Sequence, residues 1–150
     1  MNMRSTLAII FSACVLFFSC NKKKDDTAQK VIDDHFKFMN QHNVDAIRGQ
    51  YADSALIISY VMPGYKHGPL GADEIYHFMF FISPSEQYRI DEVMDMDSII
   101  IVQYDVMGYK ALNNLKSGYS YRDCAIFKVK DGKIAGEKTY SNRIATDGEH

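Results

Sequence analysis

The chain has 150 residues, 47% hydrophobic and 24% charged, with 17 lysines and arginines against 19 aspartates and glutamates and a formal net charge of −2. That near balance, with no basic stripe, argues against nucleic acid as a partner. Only 3 cysteines and 3 prolines in this length argue against a disulfide scaffold and against a low-complexity chain.

The first residues do not read as part of a fold. Arg4 precedes the apolar run Leu7 to Phe18, which closes in Ser19-Cys20. The run is shorter than the roughly 20 residues a transmembrane helix needs. A cationic residue followed by such a run reads as a signal peptide over residues 1–19. Ser19-Cys20 resembles the lipobox of bacterial lipoproteins, which implies that Cys20 carries lipid, becomes the first mature residue and holds the protein to a membrane. A plain secretory signal or an uncleaved anchor is the alternative. With Cys14 lost and Cys20 lipidated, only Cys124 remains, so no disulfide is expected within the mature chain. Cys124 has no cysteine or histidine partner at ligand spacing and reads as a small buried residue.

Residues 20–26 then form a lipidated cysteine and a charged tether, NKKKDD. The absence of aspartate directly after Cys20 resembles lipoproteins sent to the outer membrane, and Lys24-Asp25-Asp26 resembles the export tag of surface lipoproteins in Bacteroidetes-type bacteria. The expectation is an exported, lipid-anchored protein of the bacterial envelope, at the outer membrane, with exposure at the cell surface as the tag's further implication. One domain follows over residues 27–144, with a short tail at 145–150.

In Thr27 to His42 the apolar residues Ala28, Val31, Ile32, Phe36 and Met39 recur at helical spacing, and His35 shares their face. His35 is a candidate acid or base because imidazole titrates near neutrality; a satisfied core histidine is the alternative. Asn43 can cap a short helix, Val44 to Gln50. Ala52-Asp53-Ser54 then reads as a turn into a strand, Ala55 to Met62, stopped by Pro63-Gly64. After a loop containing Tyr65, His67 and Gly68, a third helix is expected over Asp73 to Phe81 with Ile75, Phe78 and Met79 inward. Strands follow over Tyr88 to Met94, Ile99 to Tyr109, Tyr119 to Lys130 and Lys133 to Asn142, with a polar loop around Asn113-Asn114. The order is ααβαββββ.

Asp131-Gly132 between the last two strands favours a two-residue turn with positive φ at both positions. Counting outward sets Lys130 opposite Lys133, Val129 opposite Ile134, Phe127 opposite Gly136, Asp123 opposite Tyr140 and Tyr121 opposite Asn142. This face begins apolar and turns polar. It suggests a pocket lined by His35, Tyr60, Tyr121, Asp123, Tyr140 and Asn142, or else a satisfied polar cluster at the sheet rim. Lys138 falls diagonal to Asp123 in this register as a structural ion partner, and Asp105 can pair with Arg122. Phosphate-loop, serine-elbow and Cys-x-x-Cys motifs are missing, and no histidines stand four apart, so neither metal nor cofactor is expected.

The order of elements, with Tyr51-Ala52-Asp53 before the first strand, Gly68 before a helix bearing Ile75 and Phe78, and the Asp131-Gly132-Lys133-Ile134 hairpin, resembles the nuclear transport factor two-like superfamily in its SnoaL-like, ketosteroid-isomerase-like branch. The resemblance implies an α+β conical fold, with three helices packed in a strongly curved, mostly antiparallel sheet around a pocket, often dimerising through the sheet's outer face. Ser59 stands where the isomerase branch has its base, and Asn142 stands where cyclase and hydratase relatives end the last strand in aspartate. Neither side chain can act as that base. Two function classes follow: a non-catalytic binding or assembly module with a small apolar or aromatic ligand or a second copy as partner, or an isomerase, cyclase or dehydratase using Asp123, with His35 and Tyr140 as further catalytic candidates.

Overall fold

In the computed structural model, described over residues 26–109 and 119–142, the helix expected from the Ala28–Met39 periodicity is α1, Asp26–Asn40. Its apolar stripe is buried: Ala28, Ile32, Phe36 and Met39 lie in the core, with His35 among them. Asn40 fastens the end of this helix to the sheet, because its amide accepts from Tyr88 N at 2.7 Å and donates to Tyr88 O at 2.9 Å, as a neighbouring strand would. Asn43 caps α2, Val44–Gly49, by accepting from Ala46 N.

The chain continues through β1 (Tyr51–Ile58), β2 (Tyr65–His67), α3 (Gly68–Ile82), β3 (Gln87–Met96), β4 (Ile99–Tyr109), β5 (Tyr119–Lys130) and β6 (Lys133–Asn142). The strands form one sheet in the order β2-β1-β6-β5-β4-β3, antiparallel except where β1 runs parallel to β6. Three helices pack against this curved, six-stranded sheet, giving the expected α+β cone.

Several local expectations need correction. The turn expected at Ala52-Asp53-Ser54 is a strand segment, whose register against β6 shifts between Tyr51 and Leu56. The loop before the third helix contains the short edge strand β2, making the order ααββαββββ. The helix itself starts at Gly68, because Pro69 at its first turn is preset for helical φ. Gly68 takes φ +60° with Asp53 O 2.6 Å from the site of a Cβ, so the backbone there has room only for glycine. The longer helix also turns differently: Ala72, Ile75, Tyr76, Met79 and Phe80 face inward, while Phe78 is exposed.

The β5–β6 turn is as expected at its tip and not beyond it. Asp131 and Gly132 have φ of 51° and 71°, and Lys130 pairs with Lys133 and Val129 with Ile134. The register then shifts by one residue, so that Lys128 pairs with Gly136 and Ala135 is extra. Beyond this bulge Phe127 pairs with Glu137, Cys124 with Tyr140, Asp123 with Ser141 and Arg122 with Asn142. A one-residue shift exchanges the faces of every later side chain. Glu137 therefore enters the core at 4% exposure, while Lys138 and Tyr140 turn outward.

Candidate functional site

Two polar clusters lie inside the cone, each built around buried carboxylate. The first joins Tyr60, which follows β1, to Tyr121 and Asp123 on β5 and to Glu86 and Tyr88 at the start of β3. The Tyr60 hydroxyl donates to Asp123 Oδ2 at 2.6 Å and lies 3.2 Å from the Tyr121 hydroxyl. Tyr121 donates to Glu86 Oε1 at 3.1 Å, and Tyr88 donates to Glu86 Oε2 at 3.2 Å. Asp123 and Glu86 are each 2% exposed, so hydroxyl donors here replace water around the carboxylate oxygens. Burial, reinforced by the neighbouring carboxylates, pushes Tyr60, Tyr121 and Tyr88 above the ordinary phenol range and keeps them as donors.

The second cluster lies where α1, β1, α3 and β6 meet. Glu137 accepts from the Tyr51 hydroxyl at Oε2, and its Oε1 lies 3.1 Å from the Tyr76 hydroxyl, within hydrogen-bond reach. His35 Nε2 is 2.9 Å from the Tyr76 hydroxyl, and His35 Nδ1 is 2.9 Å from Gln50 Oε1. Gln50 in turn donates from Nε2 to Val31 O at 3.0 Å. Burial pushes Glu137 up to about 7, against the two tyrosine hydrogen bonds that favour its ionised form. Burial also lowers His35 to about 4, against the Gln50 hydrogen bond. Tyr104 stands between the clusters: it pairs with Asp123 across β4 and β5 and packs on Phe36 at 5.0 Å.

The structure thus brings Tyr60, Tyr121 and Asp123 together and sets His35 in a separate network, as a satisfied core group. Tyr140 does not join them. It is 56% exposed on the outer face, beside a groove of about 440 Å³ whose walls include Leu56, Ile99, Ile126 and Lys138. The expected Asp123–Lys138 pair is excluded by the same shift, since Lys138 lies opposite Ile126. Asn142 pairs with Arg122 in the ladder, and its side chain lies outside the described residues, as do Cys20 and the loop around Asn113-Asn114. Ser59 Oγ accepts from Val61 N at 3.2 Å, so it shapes the backbone after β1. Asp105 pairs with Arg122 as the shared face suggested and also with Arg89, at 3.1 and 2.7 Å. Among the described residues, no group of three or more metal-ligating side chains converges.

Sequence reasoning missed Glu86, Tyr88, Glu137, Tyr51, Tyr76 and Gln50. For Glu137 there was a signal: Gly136 within a strand is the residue type that marks a bulge. For Tyr76 the signal was its position one turn before Phe80, which shares the buried face.

The comparisons agree with this architecture. The family model for the SnoaL-like domain matches residues 32–137. No curated protein matches the chain by sequence. A candidate SnoaL-like polyketide cyclase from Jannaschia Sp. CCS1 superposes with a TM-score of 0.70 at 12% identity, over 80% of this chain and 88% of that one. A nuclear transport factor two-like protein of unknown function from Burkholderia pseudomallei K96243 gives 0.69 at 11% identity, over 77% and 91%. A protein with a ketosteroid isomerase-like fold from Catenulispora acidiphila DSM 44928, in complex with trimethylamine, gives 0.67 at 7% identity, over 74% and 84%. At these identities the likeness to the three solved structures is one of fold.

The inside of the cone and the outer sheet face make different demands on two tyrosines. Tyr60→Phe removes the donor to Asp123 Oδ2 and should cost about 1–3 kcal/mol in denaturant unfolding. Tyr140→Phe on the exposed face should stay within about 0.5 kcal/mol of wild type. The reverse order would contradict the placement of these residues. With the fold and the sequence match in agreement, the chain belongs to the SnoaL-like domain family.

Proposed function

We propose that this protein is a lipid-anchored envelope module whose cone binds a small apolar or aromatic ligand and whose outer sheet face pairs with a second copy. The observation that carries the binding reading is the engagement of Asp123: it is 2% exposed and its Oδ2 is held by the Tyr60 hydroxyl at 2.6 Å. A base must reach a substrate proton, and this carboxylate is instead turned into a tyrosine network. With serine at position 59 and asparagine at 142, the family's usual base positions hold no titratable carboxylate. Tyrosine hydroxyls and aromatic walls suit a ligand that is largely apolar with one or two polar groups.

The opposing reading is an isomerase-, cyclase- or dehydratase-type enzyme using Asp123, which the likeness to a candidate polyketide cyclase keeps in view. Asp123→Asn separates the two. In a binding module, native mass spectrometry of the purified protein should still find the co-purified ligand, with affinity changed by less than about tenfold. In an enzyme, turnover of an enolisable ketone such as a ketosteroid should be measurable in wild type and fall by about a hundredfold or more in the variant. That second outcome would overturn the proposal.

The anchor and the dimer have their own tests. Cys20→Ala should abolish membrane partition of the exported protein; a variant processed and fractionated like wild type would contradict lipidation. Met94, Met96 and Ile99 are exposed on adjacent positions of β3 and β4, an apolar patch that a second copy can cover. Sedimentation should therefore report a dimer that Ile99→Lys converts to monomer, and a monomeric wild type at high concentration would contradict it.

A further inference from the structure

The Glu137 cluster is one proton short. Gln50 Nε2 donates to Val31 O, so Gln50 presents Oε1 to His35, and an acceptor there requires the imidazole hydrogen to sit on Nδ1. That leaves Nε2 of a neutral ring as an acceptor. Four contacts join these groups, and the long one, 3.4 Å from the Tyr51 to the Tyr76 hydroxyl, can share the hydrogen that Tyr51 gives to Glu137; three then need a hydrogen each, His35 Nε2 with Tyr76, Tyr76 with Glu137 Oε1, and Tyr51 with Glu137 Oε2. The two tyrosines supply only two. With Glu137 ionised, Tyr76 can satisfy either the carboxylate or the imidazole, and the other is left facing a lone pair inside the core.

A proton on Glu137 Oε1 completes the set. Glu137 then donates to Tyr76, Tyr76 donates to His35 Nε2, His35 Nδ1–H donates to Gln50 Oε1, and Gln50 donates to Val31 O. Every donor in the chain points one way. Moving the proton to His35 would also complete the contacts, but only by creating two buried charges, which a low-dielectric core opposes. Among the described residues, none adds a counter-charge to Glu137. On either side in the sheet it pairs with Ile57 of β1 and Phe127 of β5, and the titratable groups facing it are Tyr51 on β1, Tyr76 on α3, His35 on α1 through Tyr76, and Tyr104 on β4.

We infer that Glu137 is a neutral acid in the folded protein and that its proton closes a clamp of α1, β1 and α3 onto β6, a titratable device separate from the Asp123 cluster. Its consequence for stability follows by counting protons. Between pH 4.5 and 6.5, the ordinary values of the two groups, the unfolded chain carries an imidazolium and a carboxylate, one proton in all. The folded chain carries a neutral imidazole and a neutral acid, again one proton. The pair therefore contributes no slope in that window. Above it the unfolded pair holds none and the folded pair one until pH passes about 7, so rising pH loosens the clamp. Below it the unfolded pair holds two and the folded pair one until pH falls through about 4, so falling pH loosens it.

Glu137→Gln keeps the shape and can donate from its amide to Tyr76, so the chain stays complete without a titratable proton. His35 alone then remains linked, and the unfolded state takes up a proton that the folded state refuses. The folding equilibrium constant of the variant relative to wild type should rise about 100-fold from pH 4.5 to 6.5. Infrared difference spectra at pH 6 should show a protonated carboxylic acid band in wild type that the variant lacks. A flat ratio, or no such band, would overturn the inference. Should the variant fail to fold, nitrogen NMR of wild-type His35 decides at pH 6: a neutral ring with its proton on Nδ1 supports the inference, and an imidazolium or a proton on Nε2 overturns it.

Discussion

One extra residue in the last strand decides what the inside of this protein is made of. Side chains alternate between the faces of a strand, so the bulge at Ala135 reassigns every position of β6 from Gly136 onward. Without it, Lys138 and Tyr140 would point into the cone and Glu137 would meet solvent. With it, the core receives a carboxylate and gives up an ammonium and a phenol. Next to the bulge, β1 loses and regains its own register against β6 between Tyr51 and Leu56, and Tyr51 is thereby placed to donate to Glu137. The two irregularities sit side by side in adjacent strands, so the polar network and the distorted backbone belong to one construction.

The interior that results is unusual for its carboxylates. Asp123, Glu86 and Glu137 are each less than 5% exposed, and tyrosine hydroxyls hydrogen-bond to each of them. A carboxyl group removed from water is costly when ionised unless donors replace its hydration, and otherwise it keeps its proton. Tyrosine is suited to that role because its ring fills the cone while its hydroxyl reaches the acid. Tyr104, between the clusters, feels both acids and is itself pushed to a higher pKa, mainly by burial. A ligand entering beside Asp123 would therefore meet hydroxyls already committed to acids, an arrangement that orients polar groups more readily than it moves protons.

Much of the architecture was legible because it depends on local signals. The stripe from Ala28 to Met39, the Asn43 cap, the Asp131-Gly132 turn and the bounds of the last three strands are each written in a few adjacent residues. The site was legible only in part, for reasons of register. Tyr60, Tyr121 and Asp123 lie before the bulge or off the hairpin, so alternation placed them together. Tyr140 and Lys138 lie beyond it, where the same alternation gives the opposite face. Glu86 precedes its strand in a turn, and its carboxylate is buried against Tyr88 of β3 and Tyr121 of β5, which cannot be read from Ser83-Pro84-Ser85 alone. The third helix was read short because its first turn, Gly68-Pro69, looks like a loop by composition although Pro69 suits a helix start.

The bulge is the claim on which the placement of both clusters rests, and cross-strand proton contacts in NMR measure it directly. Backbone contacts should link Phe127 with Glu137 and Cys124 with Tyr140. Contacts linking Phe127 with Gly136 and Asp123 with Tyr140 instead would mean an unbroken register, with Glu137 outside and Tyr140 within, and would contradict the account.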